Sequence, residues 1–280
     1  MINDPAALTA VPGCIDADHA ALAAACKSGV ALCTIIRIEG SFSRRVGAQL
    51  AIHPDGSVTG SLADGCLERQ LVSDARTANV AVIKRYGSGS PVIDFRLPCG
   101  GGLNILVDPA PDREACRNAV ARLKKRQAAS LIIPANDDLT KRHYIPALKI
   151  AAFGEGPELA VIEQLAKAAQ VSFDSDPAMS GLAALDTWTA VVLLFHDHER
   201  ERDILARAVR SDAFYIGAQG GETARNARIL QLISDGIPEE QLARIRGPIG
   251  SVPACRTPVT LALSILSEVA GQYEQLVPHR

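Results

Sequence analysis

The sequence has no excess of either charge, no long unbroken apolar run and no Cys-x-x-Cys pair. Each absence narrows what the chain can be. Lysine and arginine number 29 against 31 aspartate and glutamate, a formal net charge of −2, which is not the basic footprint of a nucleic-acid binder. The most apolar stretch, Ala20 to Ile36, is broken by Lys27, Ser28 and Gly29, so it reads as helix, turn and strand rather than a membrane span. The opening Met1-Ile2-Asn3-Asp4-Pro5 has neither the basic nor the apolar region of a signal peptide. Seven cysteines, an odd number without metal-ligand spacing, argue against a disulfide framework and a structural zinc site. The expectation is a cytoplasmic protein with no membrane segment, no bound metal ion and no nucleic-acid partner. At 280 residues, 48% of them apolar, the chain can build two domains with ordinary cores.

Residues 1–147 read as a mixed α/β domain. A helix over about Asp16–Lys27 leads into a β-branched strand over Val30–Ile38. Pro54-Asp55-Gly56 between two short apolar runs signals a hairpin. Leu67, Leu71, Val72 and Ala75 share one face of a helix running from Cys66 to about Thr77. Strands follow near Val80–Tyr86, Val92–Phe95 and Leu103–Val107, then a helix over about Arg113–Arg126. From residue 148 to 280 strands and helices alternate. Short apolar strands at Lys149–Phe153, Val171–Phe173, Val191–Phe195 and Phe214–Gly217 are separated by helical stretches. That order predicts a Rossmann-like, doubly wound parallel sheet.

The stretch Ser61-Leu62-Ala63-Asp64-Gly65-Cys66-Leu67-Glu68 is the most informative. A thiol in the first turn of a helix meets backbone N–H groups and the positive end of the dipole, which favour reactive, metal-binding sulfur. Cys99 lies in Leu97-Pro98-Cys99-Gly100-Gly101-Gly102, where backbone amides can come close to a ligand. Two cysteines in glycine-rich turns suggest sulfur or cofactor chemistry; taken singly, either also reads as a small buried hydrophobe.

In the second half, Gly154-x-Gly156 between strand and helix is two-thirds of a dinucleotide fingerprint, with Asp174 placed for a ribose hydroxyl. Leu159 stands where the third glycine belongs, and Glu155 adds negative charge. These residues fit either NAD(P) binding or a Rossmann-like fold that has lost its ligand. His196 in His196-Asp197-His198 follows the third strand, placed for a general acid or base. Gly217 opens a second amide-rich turn, and Arg225 and Arg228 on the next helix read equally as an anion site or a solvated face.

In order along the chain stand Gly40-Ser41-Phe42-Ser43-Arg44-Arg45-Val46-Gly47, Asp64-Gly65-Cys66-Leu67-Glu68, Cys99-Gly100-Gly101, His196-Asp197 and Tyr215-Ile216-Gly217-Ala218. Pro248-Ile249-Gly250, Thr257-Pro258 and Ala262-Leu263-Ser264-Ile265-Leu266-Ser267-Glu268 follow. The set resembles the XdhC/CoxI family, accessory proteins of molybdenum hydroxylases such as xanthine and carbon monoxide dehydrogenases. It departs from the family pattern at Ser43, where proline is usual, at Asp64, where glycine is usual, and in the Ser251–Cys255 loop.

The resemblance implies a chaperone more than a turnover enzyme. It would hold molybdenum cofactor (molybdopterin) transiently, support its sulfuration with a cysteine desulfurase, and deliver it to an apo molybdenum hydroxylase. Such a cargo is anionic and oxygen-rich and calls for amides, arginines and soft sulfur. On this reading Cys66 contacts the molybdenum centre or relays sulfur, Cys99 lines the same pocket, and Arg44 and Arg45 neutralise phosphate or oxo groups. Gly65, Gly100 and Gly101 supply the close backbone. Two other readings stay open: an NAD(P)-dependent oxidoreductase with His196 as proton donor, and a non-catalytic adaptor with buried cysteines. The apolar helix Val259–Val269 serves a homodimer or a core equally well.

Overall fold

A computed structural model describes residues 16–90, 100–134, 137–175, 185–196 and 198–277. The chain divides into two compact units, Met1–Ile145 and Pro146–Arg280.

In the first unit β1 (Ala31–Glu39), β2 (Gln49–Ile52), β3 (Val58–Gly60), β4 (Val82–Gly87) and β5 (Gly102–Asp108) form an antiparallel sheet in the order β3-β2-β1-β5-β4. Its side chains alternate between two cores, as the period of a strand requires. Cys33, Ile35, Leu50 and Ile52 pack with Leu67 and Leu71 of α2 (Gly65–Thr77). Leu32 and Ala51 pack with Leu22 of α1 (Ala17–Ala25), Ala119 of α3 (Arg113–Lys124), and Leu131 and Tyr144 of a hairpin. Covered on both sides, β1 is buried continuously from Ala31 to Ile36. The hairpin at Pro54–Gly56 forms as expected, closed by the Gly56 amide on the His53 carbonyl at 2.9 Å. The strand expected at Val92–Phe95 lies outside the described residues. One element was not expected: β6 (Ala129–Ile132) pairs antiparallel with β7 (Lys141–Tyr144).

In the second unit β8 (Lys149–Gly154), β9 (Ser172–Ser175), β10 (Thr189–Leu194), β11 (Tyr215–Ala218) and β12 (Ile245–Arg246) pair in parallel, in the order β12-β11-β10-β8-β9. Helices α4 (Pro157–Ala168) and α8 (Pro258–Glu274) cover one face, where Ile162 and Ile265 meet Ala190, Val192 and Leu194. On the other face α5 (His198–Ala208), α6 (Glu222–Ser234) and α7 (Glu239–Leu242) put Leu205, Leu232 and Leu242 against Val191 and Leu193. Every residue of β10 is therefore buried, which is why that strand is apolar without alternation. This is the expected Rossmann-like doubly wound sheet. Thr257 and Thr260 form a capping box at the start of α8. The helix buries Ala262, Ile265 and Val269 and leaves Val259 and Leu263 exposed. Among the described residues no helix is long and apolar enough to cross a membrane.

Candidate functional site

The first turn of α2 is fixed from three directions. Asp64 is its N-cap and accepts from the amides of Cys66 and Leu67, both at 2.9 Å. Glu68 folds back to accept from the Leu62 amide at 2.8 Å and the Ser61 hydroxyl at 3.2 Å. Leu62 and Leu67 are fully buried beneath the turn, pinning it hydrophobically. The Cys66 and Leu67 amides, expected to stand unpaired before the thiol, are instead satisfied by Asp64. Cys66 itself is exposed. One turn along the helix, Arg69 Nη2 donates to Cys66 Sγ at 3.1 Å, so a cation sits beside accessible sulfur. Arg69 went unremarked at the sequence level, although a spacing of three on a helix was signal enough to pair it with the thiol.

Strand directions gather three segments at one end of this sheet. The last residue of β1, Glu39, pairs with the first of β5, Gly102, and Gly102 also pairs with Gly87, the last of β4. β3 runs toward the same end and hands over to the turn before Cys66. The loop after β1 and the glycines before β5 touch. A Cβ on Gly101 would lie 2.7 Å from the Glu39 carbonyl oxygen, and one on Gly40 would lie 3.4 Å from Gly101 Cα. Arg85 closes the cluster through Glu39 Oε2 at 2.5 Å, the Ser88 carbonyl at 2.8 Å and Asn104 Oδ1 at 3.0 Å. Gly100 is exposed at φ +68, and among the described residues nothing lies within 4 Å of where its Cβ would stand. Gly65, Cys66, Gly100 and Gly101 therefore share one sheet end with the loop of Arg44 and Arg45. Cys99 lies outside the described residues.

Arg44 is engaged internally. Its Nη2 donates to Asp18 Oδ1 at 2.8 Å, and Asp18 is 1% exposed. Asp18 also accepts from Arg142 Nη2 at 2.9 Å and from the Gln49 amide at 2.9 Å. Arg142 donates from Nε to the Gly47 carbonyl at 2.6 Å and lies over the Tyr144 ring. The arginine of the loop thus helps clamp that loop to α1 and β7, while Arg45 is half-buried. Asp18 and Arg142 carried no local signal in the sequence.

In the second unit Gly154, Gly156 and His196 come together at the carboxyl edge, where the strand order reverses beside β8. Gly154 adopts φ +138, and a Cβ there would lie 2.4 Å from the Leu194 carbonyl oxygen. Gly156, at φ +99, caps α4 without a side-chain bond. A Cβ on Gly156 would lie 3.1 Å from Glu158 Oε2 and 3.8 Å from Nε2 of the exposed His196, so a carboxylate and an imidazole flank this turn. Glu155 pairs with Arg200 at 2.9 Å, and Asp174 on β9 pairs with Lys149 at 3.5 Å. Gly217 lies within β11, where a Cβ would come within 2.6 Å of the Tyr215 ring. Arg228 is buried, bonded to Glu201 at 2.7 Å and to the Gln219 carbonyl at 2.8 Å. Leu159 packs into the core under α4. Among the described residues no three His, Cys, Asp or Glu side chains gather as a metal-ligand set.

Comparison with known proteins bears on both units. A family model described as the XdhC Rossmann domain matches residues 107–269, and one described as the XdhC and CoxI family matches residues 23–87. The chain is 32% identical over 269 residues to the molybdenum cofactor insertion chaperone PaoD of Escherichia coli (strain K12), covering 87% of this chain and 83% of that protein. It is 21% identical over 246 residues to the uncharacterized protein YqeB of the same organism, covering 85% of this chain and 42% of that one. A crystal structure described as a xanthine dehydrogenase from Bacillus halodurans shares the fold at a TM-score of 0.66 and 17% identity, across 91% of this chain and 95% of the other.

Proposed function

The chain belongs to the XdhC and CoxI family, and from that premise we propose that it is a maturation factor for a molybdenum hydroxylase, with molybdenum cofactor as its cargo. It holds the cofactor transiently, supports its sulfuration by a cysteine desulfurase, and hands it to the apo-enzyme. The setting is the cytoplasm and the working form a homodimer. The observation that carries the reading is the exposed Cys66 Sγ with the Arg69 guanidinium 3.1 Å away. It lies at the sheet end where Gly100 is exposed at positive φ.

The donor set fits the cargo's chemistry. A dithiolene-bound, oxygen-rich metal on a phosphorylated pterin asks for soft sulfur, cations and amide donors. Cys66 supplies the sulfur, Arg69 and Arg45 the charge, and the Gly100-Gly101 segment the close backbone. Arg44 acts on this site indirectly, by holding the Gly40–Gly47 loop on Asp18. An adaptor with sealed cysteines fits poorly with an exposed Cys66. Dinucleotide binding through Gly154, Gly156, Asp174 and Gly217, with His196 as proton donor, also fits poorly. Glu158 stands at the start of α4, where a phosphate would be held, and Asp174 is paired with Lys149. Calorimetry with NAD and NADP is expected to return no binding.

The test is anaerobic purification of the wild-type protein and of Cys66→Ala from a cofactor-producing host, followed by molybdenum and pterin analysis and activation of an apo-hydroxylase. The wild type carries both and activates the client, and the variant loses most of each. Equal retention and equal activation by the two proteins refute the role of Cys66.

A further inference from the structure

The free edge of the parallel sheet in the second unit holds a cavity of about 560 Å³ that the reading above does not use. Its walls include Arg225 of α6, Arg244 and Arg246 at β12, Glu268 of α8, and Phe214 and Ile216. Three guanidinium groups and one carboxylate leave the lining strongly cationic.

Each arginine is held differently. Arg244 donates to the carbonyls of Val209, Ser211 and Ala213 at 2.6–2.8 Å. These neutral acceptors fix its charge in place without cancelling it. Arg246 is exposed, donates to Gln272 Oε1 at 2.9 Å, and lies 3.6 Å from Glu268 with its guanidinium over the Tyr215 ring. Glu268 is itself occupied, accepting from the Tyr215 hydroxyl at 2.9 Å and the Gly250 amide at 2.6 Å. Arg225 is the residue without a counterpart: its Nε is buried and has no hydrogen-bond partner among the described residues. A buried guanidinium nitrogen left unpaired costs desolvation energy, and no ion pair among the described residues offsets the charge that Arg225 brings to the cavity lining. Of the two arginines on α6 that read as an ambiguous pair in the sequence, Arg228 belongs to the interior and Arg225 to this cavity.

We propose that this edge cavity binds a small phosphorylated ligand, with Arg225 and Arg246 as its anchors. Guanidinium forks match phosphate oxygens two at a time, and a lining with two charges in surplus suits a dianion better than a monocarboxylate. At about 560 Å³ the cavity has room for a group larger than phosphate itself, with Phe214 and Ile216 among its lining. Its residues lie wholly in the second unit, so this proposal and the role of Cys66 stand or fall separately.

The probe is inorganic phosphate, titrated calorimetrically into the full-length protein and compared with chloride at matched ionic strength. The expected result is saturable binding of phosphate beyond any chloride effect, weakened about tenfold in Arg225→Gln and in Arg246→Gln. Arg202→Gln, which breaks an exposed pair with Asp235 elsewhere on the unit, binds as the wild type does. Two variants guard against one of them failing to fold, with circular dichroism as the check. Phosphate heats no larger than those of chloride, or equal binding by the wild type and whichever Arg225 or Arg246 variant folds, overturn the proposal. Equal weakening in Arg202→Gln does so as well, since it marks a general salt effect.

Discussion

Arg142 and Asp18, 124 residues apart in sequence, meet at 2.9 Å with side chains 7% and 1% exposed. Arg44 shares the same carboxylate, so one buried acid holds α1, β7 and the loop after β1 together. Breaking one partner of a buried, hydrogen-bonded pair leaves uncompensated charge and costs about 3–5 kcal/mol. Asp18→Asn and Arg142→Met should each lose stability on that scale in urea denaturation. The double variant should lose less than the two losses added, because both remove the same pair. Additive losses would mean that the two residues act independently.

The departure at Asp64 from the family's glycine has a local physical reason. The carboxylate caps α2 through two amides. Asp64→Ala should cost about 1 kcal/mol, whereas Asp64→Gly, which restores the usual residue, should cost only a few tenths. Thermal denaturation of the two variants side by side checks the order.

Much of the fold was legible because its signals are local. The apolar period of α2, the Pro54-Asp55-Gly56 turn and the alternation of short strands with helices after residue 148 each stand where the pattern placed them. The hairpin β6–β7 was not legible. Lys141-Arg142-His143-Tyr144 has no apolar alternation, and its inward-facing Arg142 is satisfied by Asp18, a contact no window of sequence contains. The same blindness affects the site. Arg44 reads as a free cation until the buried carboxylate beneath it is seen, and Arg228 until Glu201 is. Cys66 was legible because capping residues and helix phase alone set its place at the start of α2.

His19, on α1 next to Asp18, is half-buried with its ring 6.2 Å from that of Tyr144. Burial pushes its pKa below the usual 6.5, with Arg142 adding to the effect and Asp16 and Asp18 opposing it. The unfolded chain therefore binds a proton that the folded chain refuses between the folded pKa and 6.5. The linkage sign follows: the folded state carries no penalty above that window and loses stability as pH falls through it. Urea midpoints should drop between about pH 7.5 and about pH 5.5, and His19→Phe, which cannot titrate, should reduce the drop. An unchanged drop would assign the acid sensitivity to other groups.

The Arg69–Cys66 contact makes a prediction that needs no cofactor. A guanidinium beside an exposed sulfur attracts an anionic alkylating reagent and leaves a neutral one of the same shape unaffected. Cys66 should therefore react with iodoacetate faster, relative to iodoacetamide, than the half-buried Cys26 and Cys255 do. Site-resolved mass spectrometry gives the ratio for each cysteine. In Arg69→Gln the ratio at Cys66 should fall about threefold at low salt, and the difference should fade as salt screens it. Arg69→Lys keeps the charge but loses the planar fork, so it should retain most of the ratio. A ratio at Cys66 that neither substitution nor salt moves would show that the cation does not act on the sulfur.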